Sequence, residues 1–269
     1  VNILSYNIFM RPSGLFSNDQ IPRANLIPLY LPDSDVIIFE EAFDAKARVI
    51  INNGLSSSHP YRTNISGPGA FLKLNGGVYM ASKYPIVKTE YRRYGNDCAV
   101  DDCFSDKAVQ YAKINLFNNG TMLHVFGTHA QAGSEVNRPP LRKNQFGKIR
   151  EFISDCAIPH DELVIIAGDM NVDHRSVTIS RVQEYLDTLN VLNAHPPLYV
   201  GPLNYTFDST TNSYVKKGRQ YLDYVLYSRD HKQPTYAEQR VIELKTNQPW
   251  KNDVSDLSDH YPVLAHYEF

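Results

Sequence analysis

Val164-Ile165-Ile166-Ala167-Gly168-Asp169-Met170-Asn171 is the stretch whose reading decides the fold. An apolar run ends in a glycine, and a carboxylate and an amide then follow two residues apart. Such a run reads as a strand buried on both faces and bounded by a polar loop. Period-two geometry is expected to put Asp169 and Asn171 on the same side as the chain leaves the sheet. An acceptor beside an amide suits a site that handles a phosphate and its attacking water. The plainer alternative is an Asx turn at a strand end.

Outward from this stretch, strands alternate with helical segments. Val1–Ile8 and Val36–Phe39 read as strands, and Asp44 is placed to cap a helix running through Ala47 and Ile50 to Gly54. Gly77–Ser82 and Ile86–Tyr91 are strands split by Lys83-Tyr84-Pro85. Val109–Phe117 and Thr121–Thr128 flank the turn Asn118-Asn119-Gly120, a hairpin signal. Leu141–Cys156 is helical, with Phe146, Ile149, Phe152 and Ile153 at spacings of three and four, and Val182–Leu192 repeats that pattern. Tyr221–Ser228 and Val263–Phe269 read as strands. No repeat, low-complexity tract or linker interrupts the chain, so 1–269 is read as one catalytic domain.

Polar residues recur where these strands end. Tyr6-Asn7 closes the first and Glu40-Glu41 the second, and Thr128-His129-Ala130-Gln131 closes the hairpin. Asp223 lies within Tyr221–Leu226, and Ser258-Asp259-His260 leads into the last strand. Each has a bland explanation alone: a turn cap, a solvated charge, a hydrogen-bonded structural histidine. Their coincidence at strand ends argues for convergence on one sheet edge.

A phosphodiester needs a cation for developing charge, a base for water and donors for the non-bridging oxygens. Glu41 is the best single metal ligand, in a set suiting Mg2+, and Asp259 is placed to touch the same ion or a second one. His260 is the candidate general base, with Asp223 accepting its other N–H and fixing the tautomer. Asp169 orients the water or shares the metal, with Asn7, Asn171 and His129 around the phosphate. Protonation of the leaving group is the other role open to His129.

With 27 basic and 29 acidic residues the net charge is -2, and the pI is near 6.5. That balance argues against a generic polyanion binder, though a local basic groove would not show in the total. No apolar run approaches the roughly 18 residues of a membrane-spanning helix. The chain opens directly in a strand with no leader pattern, and is read as a mature, processed product. Cys98 and Cys103 bracket four residues and are spaced for a small disulfide that would leave Cys156 free, while three thiols remain the alternative. Together with sequons at Asn64, Asn119 and Asn204, this suggests export.

Tyr6-Asn7, Glu41, Gly168-Asp169-Met170-Asn171 and Ser258-Asp259-His260 together resemble the metal-dependent endonuclease/exonuclease/phosphatase superfamily. The resemblance spans the chain and implies a four-layer α/β sandwich of the deoxyribonuclease-like type, two packed mixed sheets flanked by helices, with a divalent-metal site at the sheet edges. Glu41-Ala42-Phe43-Asp44, Gly127–Ala132, Asn144-Gln145-Phe146 and Tyr221–Leu226 are similar to the bacterial-type neutral sphingomyelinases, secreted phospholipase C enzymes. That likeness implies Glu41 as metal ligand, His260 as general base, and Asp169, Asn171 and His129 as active-site residues. It further implies Mg2+-dependent hydrolysis of sphingomyelin to ceramide and phosphocholine, with peripheral membrane contact, no nucleic-acid partner and a monomer.

One departure from the family matters. Such enzymes often carry an aromatic-rich hairpin before the final Asp-His, whereas Glu243–Leu257 here is polar and offers only Trp250. Phe16 or the stretch 67–74 would then take over lipid access. Two rivals keep the same core: a deoxyribonuclease, for which Arg138, Arg142 and Lys143 would supply a phosphate patch, and a non-catalytic lipid- or partner-binding module.

Overall fold

A computed structural model describes residues 1–69 and 73–269, and the side chains of all of these but Asp101. The centre of the 67–74 stretch singled out for lipid access lies outside the described residues. In chain order the elements are β1 Asn2–Asn7, α1 Gln20–Tyr30, β2 Val36–Glu40, α2 Ala45–Gly54, β3 Tyr61–Arg62, β4 Tyr79–Ser82, β5 Ile86–Arg93, β6 Ala108–Leu116 and β7 Thr121–His129. Then come α3 Arg138–Asp155, β8 Leu163–Asp169, α4 Ile179–Leu192, β9 Ala194–His195, β10 Leu198–Tyr199, β11 Phe207–Asp208, β12 Arg219–Gln220, β13 Asp223–Ser228, β14 Tyr236–Val241 and β15 Val263–Glu268.

Two mixed sheets result. The first runs β10-β14-β15-β1-β2-β4-β3, the second β5-β6-β7-β8-β13-β9, and β11 pairs with β12 apart from both. Alternation along β1 and β2 sorts their side chains: Ile3, Val36 and Ile38 pack toward the second sheet, while Leu4, Tyr6, Ile37 and Phe39 pack on Ala24 and Ile27 of α1 and Ala47 and Ile51 of α2. On the far side Phe146, Ile149 and Phe152 of α3 join the core of the second sheet. The layers are therefore helices, sheet, sheet, helices, the expected sandwich. Where the sheets meet they leave no room: a Cβ on Gly127 would come within 2.8 Å of both Ile38 and Met80.

The opening stretch is the middle of this arrangement. All seven residues of β8 are buried, between a parallel β7 and an antiparallel β13. Gly168 holds φ 140°, and a Cβ there would sit 1.8 Å from Thr128 O, so only glycine fits beside the hairpin strand. Asp44 caps α2 as expected, its Oδ1 accepting from Ala47 N at 2.9 Å.

Two elements, α1 and β14, have no assignment in the sequence reading. Helix α1 contains Pro22 and Pro28 and turns Arg23 inward, a combination that argues against an amphipathic helix. Tertiary contacts override this: fully buried Arg23 donates to Ile8 O (2.7 Å), Leu257 O (2.9 Å) and Asn18 O (2.9 Å). Strand β14 carries Glu238, Gln239 and Arg240 at its centre, and pairing with β15 over six residues makes it a strand. The strand expected over Tyr221–Ser228 begins at Asp223 instead.

Candidate active site

Strand register does most of the assembly. Asp169 is the Cα partner of His129 on β7 and of Asp223 on β13, so three polar side chains line up across adjacent strand ends. In the facing sheet Asn7 is paired with Glu40, at the ends of parallel β1 and β2. The two rows meet at one carboxylate. Asp169 Oδ2 accepts from Asn7 Nδ2 at 3.1 Å and lies 3.6 Å from His129 Nε2 and 3.9 Å from His260 Nε2.

His260 is delivered by the loop before β15. Ser258 Oγ donates to Asn7 O at 2.7 Å, and Asn212 Nδ2 donates to Ser258 O at 2.9 Å, pinning that loop to the end of β1. His260 Nδ1 then sits 2.8 Å from Asp223 Oδ2, leaving Nε2 on the side of Asp169. Burial alone would disfavour the imidazolium, but the carboxylates of Asp223 and Asp169 outweigh it and raise the His260 pKa well above 6.5. His129 meets the opposite fate: burial, helped by the Lys107 cation, lowers it to about 3. It is a neutral imidazole whose Nδ1 is buried without a partner among the described residues. A neutral ring in that position offers hydrogen bonds rather than charge.

Glu41 leaves β2 with φ 51°, a left-handed step that breaks the strand's alternation as it ends. Its Oε1 is 3.4 Å from Asn7 Nδ2. Burial and the neighbouring Asp259 carboxylate push the Glu41 pKa up to about 7, and burial also raises Asp259. Two half-buried carboxyls that oppose each other's ionisation make an oxygen-rich spot that a hard divalent cation would relieve. Asp169, Asp223 and His260 form a second cluster, with ligand atoms within 4.8 Å of one another. There the imidazole is already engaged by Asp223, which favours an Asp–His base over a metal cage.

Asn171 is brought alongside by a different device from the one expected. The pleat stops at Asp169; Asn171 adopts φ 54° and its N–H donates to Asp169 Oδ1 at 2.9 Å, an Asx turn. Its Nδ2 donates to Ala130 O at 3.2 Å, tying the loop after His129. The turn and the site are therefore the same structure, not alternatives.

Sequence reasoning assigned no role to the residues beneath and beside the site, although it named Glu40 as a strand end. Glu40 is fully buried under it, held by Ser5 Oγ at 2.9 Å, and burial raises its pKa well above the carboxylate range. Buried Lys107 donates to Ala130 O and Asp102, both at 2.9 Å, bracing the loop that follows His129. Asp102 lies within the loop closed by the Cys98–Cys103 disulfide, in a short 3-10 turn, Val100–Phe104, that runs one residue past it, while Cys156 is free. Ser105-Asp106-Lys107 carried no strand-end signal, which is why it was missed.

Of the three basic residues offered for a nuclease phosphate patch, Lys143 is exposed while both arginines are engaged within the protein. Buried Arg142 is consumed by Glu184 at 2.6 Å and by Gln131 O and Gly133 O, and Arg138 pairs with Glu135 at 3.0 Å. Trp250 is likewise not a free interfacial side chain. It packs against the helix-side core of the first sheet and donates to Asp256 O at 3.1 Å.

Comparison with known proteins agrees with this geometry. Sphingomyelinase C 2 of Leptospira interrogans is 35% identical over 294 aligned positions, covering 98% of this chain and 46% of that protein. Sphingomyelinase C of Bacillus cereus is 33% identical over 296 positions, covering 98% of this chain and 88% of that one. The chain thus spans about half the length of its Leptospira relatives. Both alignments exceed the 269 residues of the chain, so these relatives carry insertions relative to it. The crystal structure of a beta toxin mutant from Staphylococcus aureus with bound magnesium ions superposes with a TM-score of 0.89 at 32% identity, covering 100% of this chain and 99% of that one. The model of the "Endonuclease/Exonuclease/phosphatase family" matches residues 4–260, from β1 to His260, and the chain belongs to that family.

Proposed function

We propose that this protein is a Mg2+-dependent phosphodiesterase that hydrolyses sphingomyelin to ceramide and phosphocholine. The observation that carries the reading is the His260–Asp223 pair at 2.8 Å, with His260 Nε2 aimed at the carboxylate on which Asn7 and His129 also converge. In this scheme the base is the neutral form of His260, which the positive charge of a bound cation beside these carboxylates would favour. Its Nε2 takes a proton from water as the water oxygen attacks phosphorus in line with the leaving ceramide oxygen. Asp223 accepts the Nδ1–H and stabilises the imidazolium that forms. Asp169 holds the water and orients the Asn7 amide, while Asn7 and neutral His129 donate to non-bridging oxygens. The P–O bond to ceramide breaks, the alkoxide takes a proton from solvent water on the leaving side, and His260 returns its proton to solvent to complete the cycle. Asn171 keeps the loop after His129 in place.

Glu41, with Asp259 beside it, would hold the Mg2+, which when bound supplies positive charge for the phosphoryl oxygens. The magnesium-bound structural relative supports that choice of ion. The consumed arginines disfavour the nuclease reading. The Cys98–Cys103 bridge fits an oxidising compartment, which supports a location outside the cell. In this reading the protein acts as a monomer.

Phosphocholine release from sphingomyelin liposomes tests this, with Mg2+ and with EDTA, for the wild type and His260→Ala, with plasmid nicking in parallel. Release that needs the metal and falls by about 10^2–10^4-fold in His260→Ala is expected. Nicking without release would hand the site to the nucleases, and neither activity would make the protein a binding module.

A further inference from the structure

Among the described residues seven large apolar side chains are at least 65% exposed, and six of them leave from one edge of the molecule. Leu15 lies between β1 and α1, Val100 and Phe104 between β5 and β6, Val136 between β7 and α3, and Val177 and Ile179 between β8 and the first residue of α4. β1 runs parallel to β2, β7 runs parallel to β8, and β6 runs antiparallel to β7. All four connections therefore start at the edge that carries Asn7, Glu41, His129 and Asp169. The seventh, Leu29, sits near the end of α1, where the chain returns to the start of β2 at the opposite edge.

This exposure is built rather than left over. The N–H groups of Leu15 and Phe16 both donate to Pro12 O at 3.0 Å, and Ser13 N donates to Asp44 Oδ2 at 3.0 Å, so the first loop is tied down with its apolar side chains out. Val100 adopts φ 51°, a left-handed conformation that strains a β-branched residue. The Cys98–Cys103 bridge spans it, and Asp102 anchors the loop by accepting from Ala132 N at 2.7 Å. Between these two loops opens a groove of about 510 Å³ with Leu15, Phe16 and Phe104 on its walls and Glu41 and His129 among its lining. Arg11, also lining it, stacks its guanidinium on Phe9 at 4.6 Å and Phe16 at 4.3 Å, a fixed cation facing whatever enters.

We infer that the catalytic edge lies on a phospholipid bilayer, its six exposed apolar side chains entering the interface and Arg11 meeting lipid phosphate. Exposed apolar side chains on four connections of one edge, beside a groove that carries the Arg11 cation, suit a lipid surface. With Trp250 packed inward, this edge replaces the aromatic hairpin as the docking element. The inference rests on the sphingomyelinase reading.

The test is co-sedimentation with phosphatidylcholine–sphingomyelin vesicles in EDTA, where binding is read without turnover. Leu15→Asp with Phe104→Asp, and Val177→Asp with Ile179→Asp, are each expected to lower the partition coefficient at least about tenfold. Leu29→Asp, equally exposed at the far edge, should stay within about twofold of the wild type. Thermal melting checks folding, and serine versions of each pair report the same loss should an aspartate version prove unstable. Edge variants that bind like the wild type, or a Leu29→Asp loss as large as theirs, would overturn the docking face. Binding through this edge by a protein that releases no phosphocholine would overturn the sphingomyelinase reading and leave the docking face standing.

Discussion

His260 and His174 are both packed into the protein, and their surroundings are opposites. His260 sits among Asp223, Asp169 and Asp259, and its charged form is favoured despite burial. His174 is enclosed by aromatic rings: Tyr199 stacks on it at 4.4 Å, with Tyr221 at 4.7 Å and Tyr185 at 5.1 Å. Burial, with the nearby Arg175 cation, lowers its pKa to about 4, and its Nδ1 is buried without a partner among the described residues. Burial by itself makes a histidine neutral and structural; only converging carboxylates reverse the sign. Those carboxylates are costly to crowd together, by several kcal/mol per uncompensated buried ion. A region that accepts this cost is organised for chemistry, while the tyrosine cluster is organised for packing.

Removing the carboxylate that orients His260 should break the contrast most sharply. Asp223→Asn is expected to lower kcat by about 10^3–10^4-fold, because the imidazole loses its acceptor and its tautomer, while circular dichroism stays that of the folded protein. A variant retaining a tenth or more of the wild-type rate, roughly the range of a minor positioning effect, would remove Asp223 from the mechanism.

The aromatic side should respond in the other currency. His174→Ala is expected to destabilise by about 2–3 kcal/mol in urea unfolding, from a cavity among the tyrosines, with kcat at low temperature within about twofold of the wild type. Lost activity at full stability would put His174 with the site instead.

The smallest effect sharpens the comparison through pH. Because the folded-state pKa of His174 lies below its ordinary 6.5, the unfolded chain binds more protons between pH 6.5 and about 4. Its contribution is present above 6.5 and is lost as pH falls toward 4. With solvent screening it amounts to about 1–2 kcal/mol. Urea midpoints measured across that window should slope less in His174→Phe than in the wild type, and parallel slopes would argue against the shift.

Much of this was legible beforehand where local pattern and tertiary demand agree. The apolar run before Gly168 could only be a buried strand, and the hairpin turn Asn118-Asn119-Gly120 announced β6 and β7. Helix α1 was hidden because its prolines and inward Arg23 contradict helical pattern, and β14 because its polar residues become a strand only through β15. Lys107 was overlooked, and Glu40 was named as a strand end but given no role, because a buried charged residue looks, in sequence, like a surface one.

The sequence by itself determined which strands end in polar residues, and so which side chains were available for a phosphoryl site, because period-two alternation and turn chemistry are local. Only the tertiary structure decided which of them meet. Register across β7, β8 and β13 set His129, Asp169 and Asp223 in one row, and sheet-on-sheet packing brought Asn7 to within 3.1 Å of Asp169. The protonation preferences of His260 and His174 were decided there too, since the field on an imidazole comes from neighbours up to a hundred residues away in the chain.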